Sequence, residues 1–113
     1  MNSYINRIIE GQPPQKEIID FFFERLENEA SAGFNDSVNY TTNSKIIQIG
    51  VMKKIGKTYS RNVVGATLCA FLNFSGLEKE KEYVVKRGDG KAIYQLSIKK
   101  GKIKQLKERF GYV

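Results

Sequence analysis

The chain lacks the residue types on which much catalytic and metal chemistry depends. Its 113 residues include no histidine, no tryptophan and a single cysteine, Cys69. The absence of histidine excludes the usual zinc sites and the histidine-based catalytic triads. A lone cysteine cannot form an internal disulfide, which fits a reducing cytoplasm. With no apolar run of about 18 residues and no signal-peptide pattern, we expect a cytoplasmic protein that is not an enzyme, holds no metal or other cofactor and does not contact a membrane.

Charge is distributed unevenly along the chain. Residues 1–40 hold three basic and seven acidic residues, a net charge of −4, whereas residues 41–113 hold 16 basic and five acidic residues, a net charge of +11. The acidic residues between Glu10 and Glu29 have helix-like spacing, so a solvated helix face explains them better than carboxylate catalysis does. The basic body indicates a polyanionic partner such as a nucleic acid.

The apolar pattern of the first third predicts two helices. Residues 3–10 carry three isoleucines at helical spacing, which favours a short helix or arm. After Pro14, which suits a first helical turn, apolar residues recur at i, i+4 and i+8 and predict a second helix that ends near residues 31–33. The first segment contributes Ile5, Ile8 and Ile9, and the second contributes Ile18, Phe22 and Leu26.

The middle of the chain alternates turn signals with helical ones. Residues 34–43 are rich in turn-forming residues and are predicted to be a loop. Thr42 or Asn43 can cap a helix over residues 44–55, although the β-branched run of that segment also suits a strand. Gly56 suits a left-handed helix end, and Ser60 is a good N-cap for a further helix over residues 60–73.

That last helix has two different faces, and a hairpin follows it. Val64, Leu68 and Phe71 form a bulky apolar face. The opposite face is small and polar and carries Asn62, Gly65, Ala66, Cys69 and Asn73. Two strands are predicted at residues 83–87 and 92–98, joined through a Gly-Asp-Gly turn. A final short helix is predicted after Gly101.

The segment from Lys45 to Ile98, about half of the chain, resembles the winged helix-turn-helix superfamily, and the small regulators of archaea and archaeal viruses in that class look most similar. Four parts carry the resemblance: residues 46–55 look like the supporting helix, residues 56–59 like the turn, residues 60–68 like the start of the recognition helix, and residues 83–98 like the wing.

The resemblance implies an α+β fold, a winged helix-turn-helix with an N-terminal helical extension and a C-terminal helix. Residues 1–34 would be the extension and residues 35–113 the DNA-binding body of one compact domain. A recognition helix would enter the major groove, and the basic hairpin would contact the backbone or the minor groove. The expected DNA-binding residues are Lys53, Lys57, Tyr59, Ser60, Arg61, Asn62, Gly65, Ala66, Lys86, Arg87 and Lys91.

Several of these residues can have a structural role instead of, or together with, a role in DNA binding. Ser60 can cap a helix and contact phosphate at once. Gly65 can allow close approach either to DNA or to another part of the protein. Tyr59 and Tyr94 can stack on bases or pack at the rim of the core, and Cys69 can be an inert small residue or a redox sensor.

The predicted function is that of a sequence-specific regulator of transcription that binds double-stranded DNA as a homodimer. Dimerisation is expected through residues 4–30, because their apolar content exceeds what one small core needs. The expected interface residues are Ile5, Ile8, Ile9, Phe21 and Phe23. Two alternatives remain: a winged-helix adaptor or viral inhibitor that binds an acidic protein surface, and an RNA-binding protein.

Overall fold

A computed structural model describes residues 3–112, which form an α+β fold with five helices and one three-stranded antiparallel sheet. The strands lie in the order β1-β3-β2. Within the described part of the chain, no helix is long and apolar enough to cross a membrane. The elements are α1 (Ser3–Ile9), α2 (Gln15–Ala32), β1 (Ser37–Asn43), α3 (Ser44–Ile55), α4 (Arg61–Phe74), β2 (Tyr83–Gly88), β3 (Lys91–Lys99) and α5 (Gly101–Arg109).

The predicted helices are confirmed, and their ends carry the expected signals. The Asn43 side chain accepts a hydrogen bond from the Ile46 N–H at 2.9 Å and caps α3. Gly56 ends α3 at a φ of 74°, a left-handed conformation that costs glycine little. Ser60 caps α4 by accepting from the Val63 N–H at 3.2 Å. The predicted β2–β3 hairpin is also present, with Gly88 paired to Lys91 across the turn.

The prediction of a loop over residues 34–43 is wrong, because most of that segment is strand β1. Side chains alternate between exposed and buried along β1, with Val38, Tyr40 and Thr42 facing the core. Such alternation of β-branched and aromatic residues is the signature of a half-buried strand. The intervening Asn and Thr residues disguised it as a turn. β1 pairs along its whole length with β3, from Ser37 opposite Lys99 to Asn43 opposite Ile93.

The two N-terminal helices belong to the same hydrophobic core as the rest of the chain. Ile5 and Ile8 of α1 are fully buried, and Phe23 of α2 is 2% exposed. Phe23 packs edge to face on Phe71 of α4, with ring centroids 5.4 Å apart, and Phe71 stacks on Phe110 near the C-terminus at 4.3 Å. Aromatic pairs in these geometries add to the stabilisation from burial alone.

This packing removes much of the reason for placing a dimer interface at the N-terminus. Ile5, Ile8 and Phe23 are not surplus apolar groups, since the core of a single chain uses them. Of the five residues expected at the interface, Ile9 is 42% exposed and Phe21 is partly buried. The larger exposed apolar group lies elsewhere, on α3. It consists of Ile46, Ile49, Met52 and Ile55, each between 37 and 51% exposed.

Candidate functional site

A groove of about 830 Å³ runs between the N-terminal half of α4, the first turn of α3 and the β2–β3 hairpin. We call it the basic groove. Its lining combines cationic side chains with small and polar residues, and none of its lining residues is acidic. The lining residues are Asn43, Ser44, Lys45, Arg61, Asn62, Gly65, Ala66, Cys69, Arg87, Gly88, Gly90, Lys91, Ala92, Ile93 and Tyr94.

The register of the sheet explains why three separate segments meet at this groove. β1 ends with Asn43 opposite Ile93, close to the start of β3. The chain turns directly from Asn43 into α3, so the first turn of α3 lies beside the hairpin. α3 and α4 pack on each other, and this packing brings the outward face of α4 to the same place. Sequence reasoning missed Lys45 and Ser44 as groove residues because it treated β1 as a loop.

Four cations line the basic groove, namely Lys45, Arg61, Arg87 and Lys91. Among residues 3–112, none of the four has a carboxylate within 4.0 Å, whereas five other lysines of the basic body do. These are Lys54 with Glu24, Lys57 with Glu17, Lys81 with Glu78, Lys102 with Glu82, and Lys107 with Glu27. Each of the four groove cations therefore keeps a positive charge that no carboxylate of the described residues pairs with.

The acidic residues of α2 are not merely a solvated face. Glu17, Glu24 and Glu27 pair with lysines from the turn after α3, from α3 and from α5. Exposed pairs of this kind contribute little to stability individually. They matter more for the electrostatic potential of the surface. They cancel positive charge on the side of the protein that faces α2, whereas the cations of the basic groove keep their charge.

The start of α4 is tied to α3 by a chain of hydrogen bonds. The Gln48 side chain donates from Nε2 to the Tyr59 carbonyl at 2.7 Å. Its Oε1 accepts from Arg61 Nε at 3.3 Å. The Tyr59 hydroxyl donates to Glu17 of α2. Burial, together with the hydrogen bond and negative charge of Glu17, raises the pKa of Tyr59 to about 12.

A second set of contacts joins α4 to the hairpin at the floor of the groove. Arg87 of β2 donates from Nη2 to Cys69 Sγ at 3.3 Å. Cys69 Sγ lies 3.8 Å from the hydroxyl of Tyr94, which is buried and whose pKa is raised by that burial. The same hydroxyl donates to the Gly65 carbonyl at 3.5 Å. Arg87 is thus held against the middle of α4.

Gly65 serves close packing within the protein. A Cβ at this position would stand 3.2 Å from Ser44 Oγ and 3.4 Å from the Tyr94 hydroxyl, tighter than ordinary contacts. The glycine therefore lets α4 approach both the start of α3 and β3. Because Gly65 also lines the groove, the packing role does not conflict with close approach of a ligand.

The structure brings together six of the eleven residues that the sequence predicted for DNA binding. Arg61, Asn62, Gly65, Ala66, Arg87 and Lys91 line the basic groove.

The other five predicted residues do not line the groove. Tyr59 and Lys57 contact Glu17 of α2 instead. Ser60 is exposed beside Arg61 at the α4 N-terminus, and Lys53 is exposed on α3. Lys86 is adjacent to Arg87 on β2, so strand alternation points its side chain to the opposite face.

Comparisons of this chain with models of protein families, with curated proteins and with solved structures found no match.

Proposed function

We propose that the protein is a winged helix-turn-helix regulator of transcription that binds double-stranded DNA in a sequence-specific manner. In this proposal α3 is the supporting helix, α4 the recognition helix and the β2–β3 hairpin the wing. The observation that carries it is the concentration of four unneutralised cations, and no acidic residue, between the start of α4 and the hairpin. A phosphate backbone supplies the matching charge.

The start of α4 has the chemistry to meet DNA. Arg61 and Asn62 are exposed in its first turn. Arginine can bind guanine, and asparagine adenine, through two hydrogen bonds each. The α4 N-terminus also favours a phosphate through its helix dipole and free N–H groups. The small side of α4, at Gly65 and Ala66, allows its backbone to approach base edges closely.

The hairpin would hold the backbone on the other side of the groove. Arg87 and Lys91 line the groove from β2 and β3, while Lys86 lies on the other face of β2. We therefore expect Arg87 and Lys91 to contribute more to DNA affinity than Lys86. If about four to six phosphates are neutralised in all, log K should fall with log salt at a slope of roughly −4 to −5.

The test is filter binding of duplex DNA, single-stranded DNA and RNA over a range of salt concentrations. Lys91→Gln removes an unpaired groove cation and should weaken duplex binding and reduce the salt slope by about one unit. Lys81→Gln is the matched control: it makes the same charge change at an exposed lysine paired with Glu78, at the other end of the hairpin, and should change neither value. A flat salt response of the wild-type protein, or equal effects of the two variants, would contradict the proposal.

A homodimer remains part of the proposal, because two recognition helices about 34 Å apart can read successive major-groove segments. With Ile5, Ile8 and Phe23 used by the core, the structure gives less reason to place its interface on α1 and α2. Light scattering at micromolar concentration measures the mass. A monomer that occupies a palindromic duplex as a single copy would contradict the dimer.

The second candidate function is binding to an acidic protein surface, as an adaptor or an inhibitor. The exposed apolar residues of α3, with Ile49 and Met52 among them, favour it, because DNA offers such side chains little to contact. The same cations would then face carboxylates. A protein that fails to bind any nucleic acid at low salt would support this candidate over the first.

A further inference from the structure

Gln48 of α3 links the segment before α4 to the first turn of α4. Its amide uses both ends: Nε2 donates to the Tyr59 carbonyl at 2.7 Å, and Oε1 accepts from Arg61 Nε at 3.3 Å. Because a carbonyl can only accept, the Tyr59 bond fixes the amide with its oxygen toward Arg61. Gln48 is half-buried and does not line the basic groove, whereas Arg61 is exposed and lines it.

The bond to Gln48 leaves a defined part of Arg61 available. A guanidinium carries its five donor hydrogens on Nε and on the two Nη atoms. Because Nε donates to Gln48, the Nη1 and Nη2 groups remain for binding a ligand. They lie side by side at the outer end of the guanidinium. This end can donate to guanine O6 and N7 at the same time, the commonest specific contact in the major groove.

We propose that Gln48 is a positioning residue that holds Arg61 so that its two Nη groups meet a guanine, which makes Gln48 a determinant of base specificity. This inference rests on the proposed function. An exposed arginine has many rotamers to lose on binding, and a side chain that is already oriented loses fewer. Gln48 is uncharged and lies outside the groove, so its effect falls on base preference and not on general affinity for phosphates.

The experiment is a selection from randomised duplexes followed by binding measurements at several salt concentrations. Gln48→Met keeps the length of the side chain and removes both hydrogen bonds. We expect the wild-type protein to prefer guanine at one position and Gln48→Met to lower that preference by about 2- to 10-fold. The slope of log K against log salt should stay unchanged. Gln105→Met, the same replacement at an exposed position of α5, is the matched control and should leave both unchanged.

A cycle with Arg61 separates positioning from a merely structural role. In an Arg61→Ala background, Gln48→Met should cause no further loss of base preference, because Gln48 acts through Arg61. In the free protein, ¹⁵N NMR should show that the Arg61 Nε–H exchanges with water more slowly in the wild type than in Gln48→Met. Circular dichroism checks the fold. Gln48→Ala, which removes the amide without adding volume, is a second variant with the same expected results.

Each other outcome overturns a specific part of the proposal. A wild-type protein that binds duplex DNA with a base preference that Gln48→Met and Gln48→Ala leave unchanged overturns the role of Gln48 alone. The same holds for an equal loss of affinity on every sequence, or for a further loss of preference in the Arg61→Ala background. A wild-type protein that binds no duplex DNA overturns the proposed function and this inference with it.

Discussion

Gly50, in the middle of α3, allows a close contact that can be tested directly. A Cβ at this position would stand 2.1 Å from Cζ of Phe21 and 2.5 and 2.8 Å from its two Cε atoms. Carbon atoms in normal contact are roughly 3.5–4.0 Å apart. Phe21 projects from α2, so α2 and α3 are packed through an aromatic ring that lies on a glycine.

Two effects of Gly50→Ala oppose each other. Alanine is favoured over glycine within a helix by about 1 kcal/mol. Adding a methyl group to a packed contact costs roughly 1–3 kcal/mol, and the separation of 2.1 Å requires the ring to move. We therefore expect Gly50→Ala to lower the free energy of unfolding by up to about 2 kcal/mol, with each kcal/mol lowering the melting temperature by roughly 4–8 °C.

Phe21→Leu provides the matched background, because leucine lacks the Cζ and Cε atoms that the new Cβ would meet. In that background Gly50→Ala should raise the free energy of unfolding by about 1 kcal/mol, as its helix propensity alone predicts. Urea unfolding followed by circular dichroism measures all four proteins of the cycle. Gly101→Ala, where a Cβ would have no neighbour within 4 Å, controls for the effect of alanine in a helix. If Gly50→Ala stabilises the wild-type protein, the ring moves at no cost and the explanation of Gly50 is wrong.

Two further predictions concern the junction between α3 and α4. Because burial and Glu17 raise the pKa of Tyr59 from 10.0 to about 12, its contribution to stability is complete below about pH 10 and is lost as the pH rises toward 12. Tyr59→Phe should therefore flatten the loss of stability over that range in urea unfolding, and an unaltered profile would count against the assignment. Ser60→Asp should keep the N-cap and change stability by less than about 0.5 kcal/mol, while its negative charge weakens duplex binding. If DNA binding stays at the wild-type level, phosphate does not approach the start of α4.

Local sequence signals predicted most of the elements because the physical causes of those elements are local. Asn43 and Ser60 cap helices with their own side chains, and Gly56 adopts the left-handed conformation that ends α3. The spacing of apolar residues along α4 identified its buried face, where Val64 and Leu68 are fully buried. Strand β1 was missed because its residues pair with β3 residues that lie 50 to 62 positions later in the chain, and turn-forming residues conceal its alternation.

The candidate site was predicted only in part, because only part of it depends on local sequence signals. Arg61 and Asn62 could be placed at the start of a helix from the Ser60 cap alone. Lys45 could not be placed in the site from local signals, because the pairing of Asn43 with Ile93 is what brings it to the groove. Lys57 was predicted in the site on charge, yet Glu17 of α2 lies 3.6 Å from its Nζ. A net charge of +11 over residues 41–113 shows that positive charge is present, but not which lysines are neutralised.

The sequence by itself determined the helices, the hairpin and the excess of positive charge, since these depend on residue type and on neighbours a few positions away. The tertiary structure decided three other features. They are the strand that completes the sheet, the burial of Ile5, Ile8 and Phe23 in the core, and which of the lysines and arginines form ion pairs. The physical reason is that burial and ion pairing depend on which distant segments meet. Here α2 packs on α3 and α4 and pairs with lysines of α3 and α5, which neutralises part of the basic body, while the four cations of the basic groove keep their charge.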